Sequence, residues 1–385
     1  MKPDLSTPLL GGLSATAFMR RHWQKKPLLV RGAVPDPLPA FDRRRLFALA
    51  ARDDVESRLV VHDAHGRWQL RQGPLARRSL PALGTPGWSV LVQGVDVHDD
   101  DAHRLLGRFR FIADARLDDV MVSFASDGGG VGPHVDSYDV FLLQLAGQRR
   151  WRVGPVVLPM LRDDVPLKML SDFRPREEWT LDPGDMLYVP PGWGHEGTAV
   201  GECLTASVGF RAPEAMALAA DLLERIADAG HDEASSSTEG RLYRDAGRAA
   251  TQHPARIPPA LQRFAGAAVD RLLERRHARW RALGESLSEP KPGTWFDAAE
   301  PALPLMGIEL DRRTRMLYDD RHVFINGESF IAAGRDARLM RRLADGRSLD
   351  REAVARLSEE AQLLLRQWAE DGWCQALAGA FRSAT

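Results

Sequence analysis

Two residue types that can bind a metal ion stand close together in the segment GPHVDSYDVF, residues 132–141. His134 and Asp136 are two positions apart and precede an apolar run, so a strand there would point both side chains to one face, toward the core. A lone histidine is explained more simply as a hydrogen-bonded core residue. A buried carboxylate without a cation is costly, so Asp136 favours a metal site over that simpler explanation.

A third candidate ligand lies in PGDMLYVPPGWGHEG, residues 183–197, where His195 follows a predicted strand and a Pro-Pro-Gly corner. Two histidines and one carboxylate on one side of a metal ion leave three coordination positions open. This is the arrangement found in non-haem Fe(II) oxygenases. We therefore predict that His134, Asp136 and His195 bind Fe(II).

An arginine in the strand RRWRV, residues 149–153, indicates a small-molecule ligand. Because alternate side chains share a face, Arg149 should point inward with Trp151 and Val153. An inward guanidinium needs an acceptor for its fork of donors. A carboxylate of 2-oxoglutarate would serve, since that acid has one carboxylate to spare after chelating iron. An internal Asp or Glu partner, or a different strand register, remains an alternative.

Three successive glycines precede the first candidate ligand, in SDGGGVGPH, residues 126–134. The segment lacks the flanking strand and helix of a phosphate-binding loop, so nucleotide binding is not predicted. The glycines are compatible either with close approach of the backbone to a substrate or with a flexible loop.

The elements that must position these residues are predicted to be short strands between about 57 and 212. Turns rich in Gly, Pro and Asp separate them, and such spacing is typical of a β-barrel or jelly roll. The predicted strands are SRLVVH, RWQLRQG, WSVLVQGV, VMVSFA, DVFLLQL, RRWRV, MLYVPP and CLTASVGF.

The remainder of the chain is predicted to be mostly helical. After the strands we expect a helix at 212–228, a polar loop at 229–240, a long helix at 258–287, a hairpin in RMLYDDRHVFING and two helices near 335–345 and 350–370. This pattern predicts three domains: a catalytic domain at 1–212, a helical dimerisation region at 213–290 and a small C-terminal domain at 291–385.

Composition excludes several classes of protein. The 385 residues carry a formal net charge of −1, so direct nucleic-acid binding is not expected. Two cysteines cannot form a disulfide framework, which indicates a reducing cytoplasm. No signal peptide is predicted, and no apolar run approaches the ~18 residues of a membrane span.

Four segments together resemble a known family, and they occur in its order. They are RHWQKKPLLVRG, GGGVGPHVDSYDVFLLQLAGQRRWRVG, PGDMLYVPPGWGHEG and SVGFRAP. They are similar to the JmjC-type, cupin-like bacterial ribosomal oxygenases. The resemblance implies a mainly β catalytic core (a double-stranded β-helix or jelly roll), an α-helical dimerisation region and a small α+β, winged-helix-like C-terminal domain. It also implies Fe(II), with 2-oxoglutarate and O2 as co-substrates.

By position, the resemblance assigns His134, Asp136 and His195 as iron ligands and Arg149 as the residue that holds 2-oxoglutarate. The segments that resemble the substrate pocket contain Tyr138, Asp119 and Ser207. One departure is Ala125, where the family has a serine, so a hydrogen bond from that position is in doubt.

The resemblance further implies a homodimer that hydroxylates an arginine of a large-subunit ribosomal protein. Histidyl hydroxylation and methyl-lysine demethylation remain alternatives, because the same iron site can perform both. A different class of function is a non-catalytic, cupin-like binding or regulatory protein. Arg149 discriminates between these classes, because a purely structural metal site needs no inward arginine.

Overall fold

The computed structural model describes residues 2–34, 41–236, 242–244, 246, 255–274, 277–300 and 305–377. The chain forms two units, of which the first comprises Met1–Ala212 with Pro292–Trp295 and the second Pro213–Lys291 with Phe296–Thr385. The predicted division into three domains stays a prediction.

The first unit holds strands at the predicted positions, except that DVFLLQL and RRWRV, predicted as two strands, lie in one continuous strand, Asp139–Pro155. A short helix precedes the strands, and Ser14 caps it, its hydroxyl accepting from the amide of Ala17. The helices are α1 (Ala15–Arg21), α2 (Arg43–Ala50) and α3 (Asp100–Gly107). The strands are β1 (Leu28–Val30), β2 (Ser57–His62), β3 (Trp68–Gln72), β4 (Trp88–Val92), β5 (Leu117–Ala125), β6 (His134–Val135), β7 (Asp139–Pro155), β8 (Glu177–Leu181), β9 (Met186–Val189) and β10 (Trp193–Phe210).

These strands form one antiparallel sheet in the order β1-β9-β7-β10-β5-β4-β2-β3, with β6 paired to β10 and β8 paired to β7. The two long strands β7 and β10 lie at its centre and pair along almost their whole length. This antiparallel, JmjC cupin-like architecture confirms the predicted fold class of the catalytic core.

Strand β7 separates an apolar core from a cavity, because its side chains alternate between the two faces of the sheet. Phe141 packs among Phe18, Phe109 and Tyr188 in the larger core cluster. Leu142 points the other way and lines the cavity. The side chains of β7 that face the cavity are therefore positioned by a strand whose other face packs in an aromatic core.

The second unit contains the remaining elements. They are α4 (Ala215–Ser236), α5 (Pro259–Glu274), α6 (Ala278–Ser288), β11 (Gly307–Leu310), β12 (Met316–Tyr318), β13 (His322–Ile325), β14 (Glu328–Ile331), α7 (Gly334–Gly346), β15 (Ser348–Asp350), α8 (Arg351–Ala355), α9 (Glu359–Glu370) and β16 (Cys374–Ala376). None of the helices in the described residues is both long and apolar enough to cross a membrane.

Two helical predictions in this unit were wrong. Helix α4 continues to Ser236, into the segment predicted as a polar loop, whereas residues 237–240 lie outside the described residues. The helix predicted at 258–287 is two helices, because His277 adopts a left-handed φ of 71° that an α-helix cannot continue through.

The C-terminal part follows its prediction more closely. The expected hairpin is β12 and β13, to which β14 adds a third strand. The helix near 335–345 is α7, but the segment near 350–370 divides into α8 and α9 because Ser358 caps a new helix, accepting from the amide of Ala361. A second three-stranded sheet has the order β15-β11-β16.

Candidate metal centre

Strand pairing brings the two candidate histidines together. β6 is only two residues long, and its register with β10 places His134 directly opposite His195. The two imidazole centroids are 4.2 Å apart. Asp136 lies just beyond β6, with its Oδ2 atom 3.6 Å from His195 Nε2. The ligand atoms of all three residues lie within 4.8 Å of one another, which is the spacing of a shared cation site.

The backbone selects the tautomers that such a site needs. Nδ1–H of His134 donates to the carbonyl oxygen of Gly132 at 3.0 Å, because a carbonyl can only accept. Nδ1 of His195 lies 3.5 Å from the carbonyl oxygen of Trp193. Contacts of this kind fix the ring orientation and leave Nε2 with its lone pair free to bind a metal.

Burial keeps His195 in the neutral form that binds metals. The residue is 2% exposed. Burial first, and then the neighbouring His134, lower the pKa of the imidazole to about 4. A neutral imidazole beside the carboxylate of Asp136 is the donor set that a divalent metal requires.

Arg149 is a charged residue whose side chain is buried inside the first unit. It is 4% exposed, and burial lowers the pKa of its guanidinium. Its Nη1 donates to the hydroxyls of Ser123 and Thr205 at 3.2 and 3.4 Å, and its Nη2 donates to the carbonyl oxygen of Gly197 at 3.2 Å. Nε has no hydrogen-bond partner. Within the described part of the chain no carboxylate pairs with it, so its charge is uncompensated.

A buried unpaired cation is expensive, so the structure favours an anionic ligand at this position. The predicted inward orientation is confirmed, since Trp151 and Val153 are buried on the same strand. The Trp151 ring lies 4.8 Å from the guanidinium carbon and supports it from one side. Among the residues that the structure describes, no Asp or Glu is the internal partner of Arg149.

Gly197 makes this arrangement sterically possible. A Cβ atom at Gly197 would lie 2.6 Å from Nε of Arg149 and 2.7 Å from Cη2 of Trp151. Those distances are shorter than van der Waals contact, so any side chain would displace the guanidinium or the indole. A residue with no Cβ is therefore required where β10 passes Arg149.

One cavity of about 540 Å³ contains every site residue that the sequence predicts. The three candidate ligands and Arg149 line it together with Tyr138, Asp119 and Ser207. Its size suits a small co-substrate and one protein side chain.

The part of the cavity near Tyr138 is rich in carboxylates. Asp119 is buried and accepts from the amide of Gly94 at 2.9 Å, which fixes its position. Asp118 pairs with Arg211 at 3.0 Å. Partial burial, followed by the negative charges of Asp136, Asp119 and Asp118, raises the pKa of the Tyr138 phenol, so the hydroxyl stays protonated and can donate.

The sequence argument missed Ser123 and Thr205, although a signal for them was present. Ser123 lies four residues after Asp119 on β5, and Thr205 lies two residues before Ser207 on β10, so each shares a face of its strand with a predicted residue. The two residues are directly opposite each other in the ladder. Extending the strand alternation from Asp119 and Ser207 would have identified both.

The departure at Ala125 has a simple structural setting. Ala125 is buried in a small apolar cluster with Ala199 and Cys203. Cys203 is directly opposite it in the ladder. Its methyl side chain offers no hydrogen bond to the cavity.

Comparisons with known proteins agree with this geometry. Residues 104–218 match a JmjC domain, and residues 272–375 match a ROXA-like winged helix. The chain is 38% identical over 245 residues to the ribosomal protein uL16 3-hydroxylase of Escherichia coli, which is 63% of this chain and 62% of that protein. It is 38% identical over 200 residues to a probable ribosomal oxygenase of Haemophilus influenzae, 51% of this chain and 49% of that protein.

Solved structures extend the likeness beyond the stretches aligned in sequence. The X-ray structure of Escherichia coli ycfD superposes with a TM-score of 0.81 at 30% identity, covering 94% of this chain and 98% of that one. A structure of the same protein in complex with cobalt and 2-oxoglutarate has a TM-score of 0.75 at 29% identity. A match of this extent, in a chain that carries both a JmjC domain and a ROXA-like winged helix, shows that the chain belongs to the JmjC-domain ribosomal oxygenase family.

Proposed function

We propose that the chain is an Fe(II)- and 2-oxoglutarate-dependent oxygenase that hydroxylates an arginine of a large-subunit ribosomal protein. The observation that carries the proposal is the buried, uncompensated charge of Arg149 in the same cavity as the His-Asp-His triad. The relative named for uL16 3-hydroxylation and the ycfD structure with 2-oxoglutarate support it.

In this proposal His134, Asp136 and His195 would hold the iron. His134 and His195 contribute neutral imidazoles, and Asp136 contributes one negative charge, so a divalent cation keeps positive charge for anionic ligands. When bound, iron with 2-oxoglutarate and O2 supplies the oxidation of an unactivated C–H bond, while 2-oxoglutarate becomes succinate and CO2.

Arg149 would hold the carboxylate of 2-oxoglutarate that lies away from the metal. Ser123, Thr205 and Gly197 fix the guanidinium fork before the ligand arrives, so little ordering is needed on binding. Burial excludes water from the resulting ion pair, which strengthens it.

The carboxylate-rich part of the cavity would receive the substrate side chain. A cationic guanidinium is attracted by Asp119, whereas Asp118 is already paired with Arg211, and the protonated Tyr138 and Ser207 can offer hydrogen bonds beside it. This charge favours arginine, or a methylated lysine, over a neutral imidazole. Demethylation therefore remains the second candidate for the same iron site.

A non-catalytic binding protein is disfavoured by the same observations. A structural metal would stabilise the triad but would leave the charge of Arg149 buried without a partner. A structural metal would also not explain why Asp118 and Asp119 line the same cavity.

The direct test is to incubate the purified chain with Fe(II), 2-oxoglutarate, O2 and recombinant large-subunit ribosomal protein uL16. We expect succinate to form in proportion to a mass gain of one oxygen atom, located on an arginine by fragmentation. A mass loss from a methylated lysine peptide, with the arginine unmodified, would support demethylation instead. Succinate formation that does not rise when uL16 is added, with no oxygen atom gained by uL16, would contradict the proposed substrate class.

We also propose that the helical region 213–290 forms a homodimer interface in the cytoplasm. Helix α5 supports this proposal, because Ala260 is its one buried residue among those described. Leu261 and Val269 on α5, Trp280 on α6 and Met216 on α4 are exposed. An apolar face of this kind is typical of an obligate interface. Both cysteines are free and buried thiols, which fits a reducing compartment.

A further inference from the structure

Four large apolar side chains are exposed within five consecutive residues after β7. Residues 157–161, here called the apolar lip, include Val157, Leu158, Met160 and Leu161, which are 92%, 83%, 63% and 46% exposed. Contiguous apolar patches with a polar rim mark interaction sites on soluble proteins. The charged residues Arg162, Asp163 and Asp164 follow the apolar residues immediately in sequence.

The residues that lead from β7 into the lip are held beside one candidate metal ligand. The amide of Val156 donates to the carbonyl oxygen of Gly192 at 2.9 Å. The side chains of Val156 and Phe173 close over Gly194, where an added Cβ would lie 2.8 Å from each. Gly194 directly precedes His195, so the residues that lead into the lip pack next to a candidate metal ligand.

The segment that follows the lip in sequence is held beside the other candidate histidine. The amide of Leu170 donates to the carbonyl oxygen of Pro133 at 2.8 Å, next to His134. Met169 packs so closely on Gly132 that a Cβ there would meet its Cε atom at 2.3 Å. Between these anchors and the lip, residues 166–168 line the catalytic cavity itself. The lip is therefore the outer end of a segment whose base forms one wall of the cavity.

We propose that the apolar lip docks an apolar side chain of the protein substrate that lies a few residues away in sequence from the residue that enters the cavity. This inference rests on the proposed function. A cavity of about 540 Å³ holds one substrate side chain and a small co-substrate, so the substrate backbone must stay outside it. Each residue of an extended chain advances ~3.3 Å, so near neighbours of the reacting residue lie within reach of the segment that forms the wall.

Continuity with the cavity favours substrate over a second copy of the chain. The proposed dimer interface uses residues 213–290, which belong to the other unit of the fold. The lip instead shares a short segment with residues 166–168, which line the cavity. An apolar centre with a charged rim is also the usual composition of a protein-binding patch.

The test compares the double variant Val157→Ser/Leu158→Ser with Val200→Ser. Val200 is also exposed and lies on β10 of the same unit, but outside the lip and the cavity lining. Each variant is assayed on the full chain with uL16 and with a short peptide that ends one residue either side of the target arginine. Succinate formation without any protein substrate, the thermal midpoint and the mass in solution are measured for both.

We expect the double variant to raise KM for uL16 by about tenfold or more, since burying one such side chain contributes ~1.5–3 kcal/mol. We expect KM for the short peptide, substrate-free succinate formation and the mass to stay at wild-type values. Val200→Ser should behave as wild type throughout. An unchanged KM for uL16, or a change in mass that accounts for the loss, overturns the inference. If the wild-type protein does not hydroxylate uL16, the proposed function itself is overturned. The wild-type measurement therefore distinguishes that outcome from failure of the inference about the lip.

Discussion

Arg149→Ala is expected to raise the 2-oxoglutarate concentration needed for half-maximal turnover while leaving iron affinity nearly unchanged. The guanidinium is held by Ser123, Thr205 and Gly197 and by the Trp151 ring, and none of these hydrogen bonds involves a candidate metal ligand. Its removal therefore takes away the partner of one carboxylate of 2-oxoglutarate and leaves the metal site in place.

The magnitude follows from the burial of the pair. Truncating one partner of a buried, hydrogen-bonded charge pair costs ~2–5 kcal/mol, most of it the penalty of leaving the other charge unpaired. Since ~1.4 kcal/mol is a factor of ten, KM for 2-oxoglutarate should rise roughly thirtyfold to several thousandfold. The ligand-free protein should remain folded, because no described carboxylate loses a partner.

The assay is succinate formation as a function of 2-oxoglutarate concentration, with iron affinity measured separately by titration. Arg150→Ala is the matched control, because Arg150 is the next residue and its side chain is exposed on the opposite face of β7. Arg149→Lys should be intermediate, since it keeps the charge but loses the planar fork. A folded Arg149→Ala protein with wild-type KM for 2-oxoglutarate would refute the argument.

Three further predictions concern the metal centre, the cofactor pocket and the dimer. Alanine at any position of the His-Asp-His triad should abolish turnover with the fold retained by circular dichroism, and Asp136→Asn should weaken iron binding in a titration because the anionic ligand is lost. Full activity of an iron-loaded Asp136→Ala protein would refute the assignment of Asp136 as a metal ligand. Gly197→Ala should raise KM for 2-oxoglutarate while iron affinity is kept, because the methyl group displaces Arg149; an unchanged KM would contradict this. Leu272 and Leu273 are half-buried on α5, so Leu272→Asp/Leu273→Asp should give monomers or insoluble protein in sedimentation, whereas a wild-type monomer at micromolar concentration would contradict the dimer proposal.

Much of the site could be predicted because its signals are local. The spacing of His134 and Asp136 and the alternation of Arg149, Trp151 and Val153 express a period of two that any β-strand imposes. For the first pair the predicted strand was too long, because β6 is only two residues long and Asp136 lies outside it, yet the ligand atoms of both residues still lie together. The helix boundaries were predicted less well, because the break at His277 depends on one backbone conformation that composition does not reveal.

The sequence by itself determined which residue types could bind a metal and a carboxylate, and on which face of their strands they lie. Only the tertiary structure decided that Arg149 has no carboxylate partner in the described chain and that Ser123 and Thr205 hold it. It also decided that the lip stays exposed while the segments on either side of it pack beside the candidate metal ligands. The physical reason is range: alternation along a strand is set by neighbouring residues, whereas burial and pairing depend on strands that are distant in sequence.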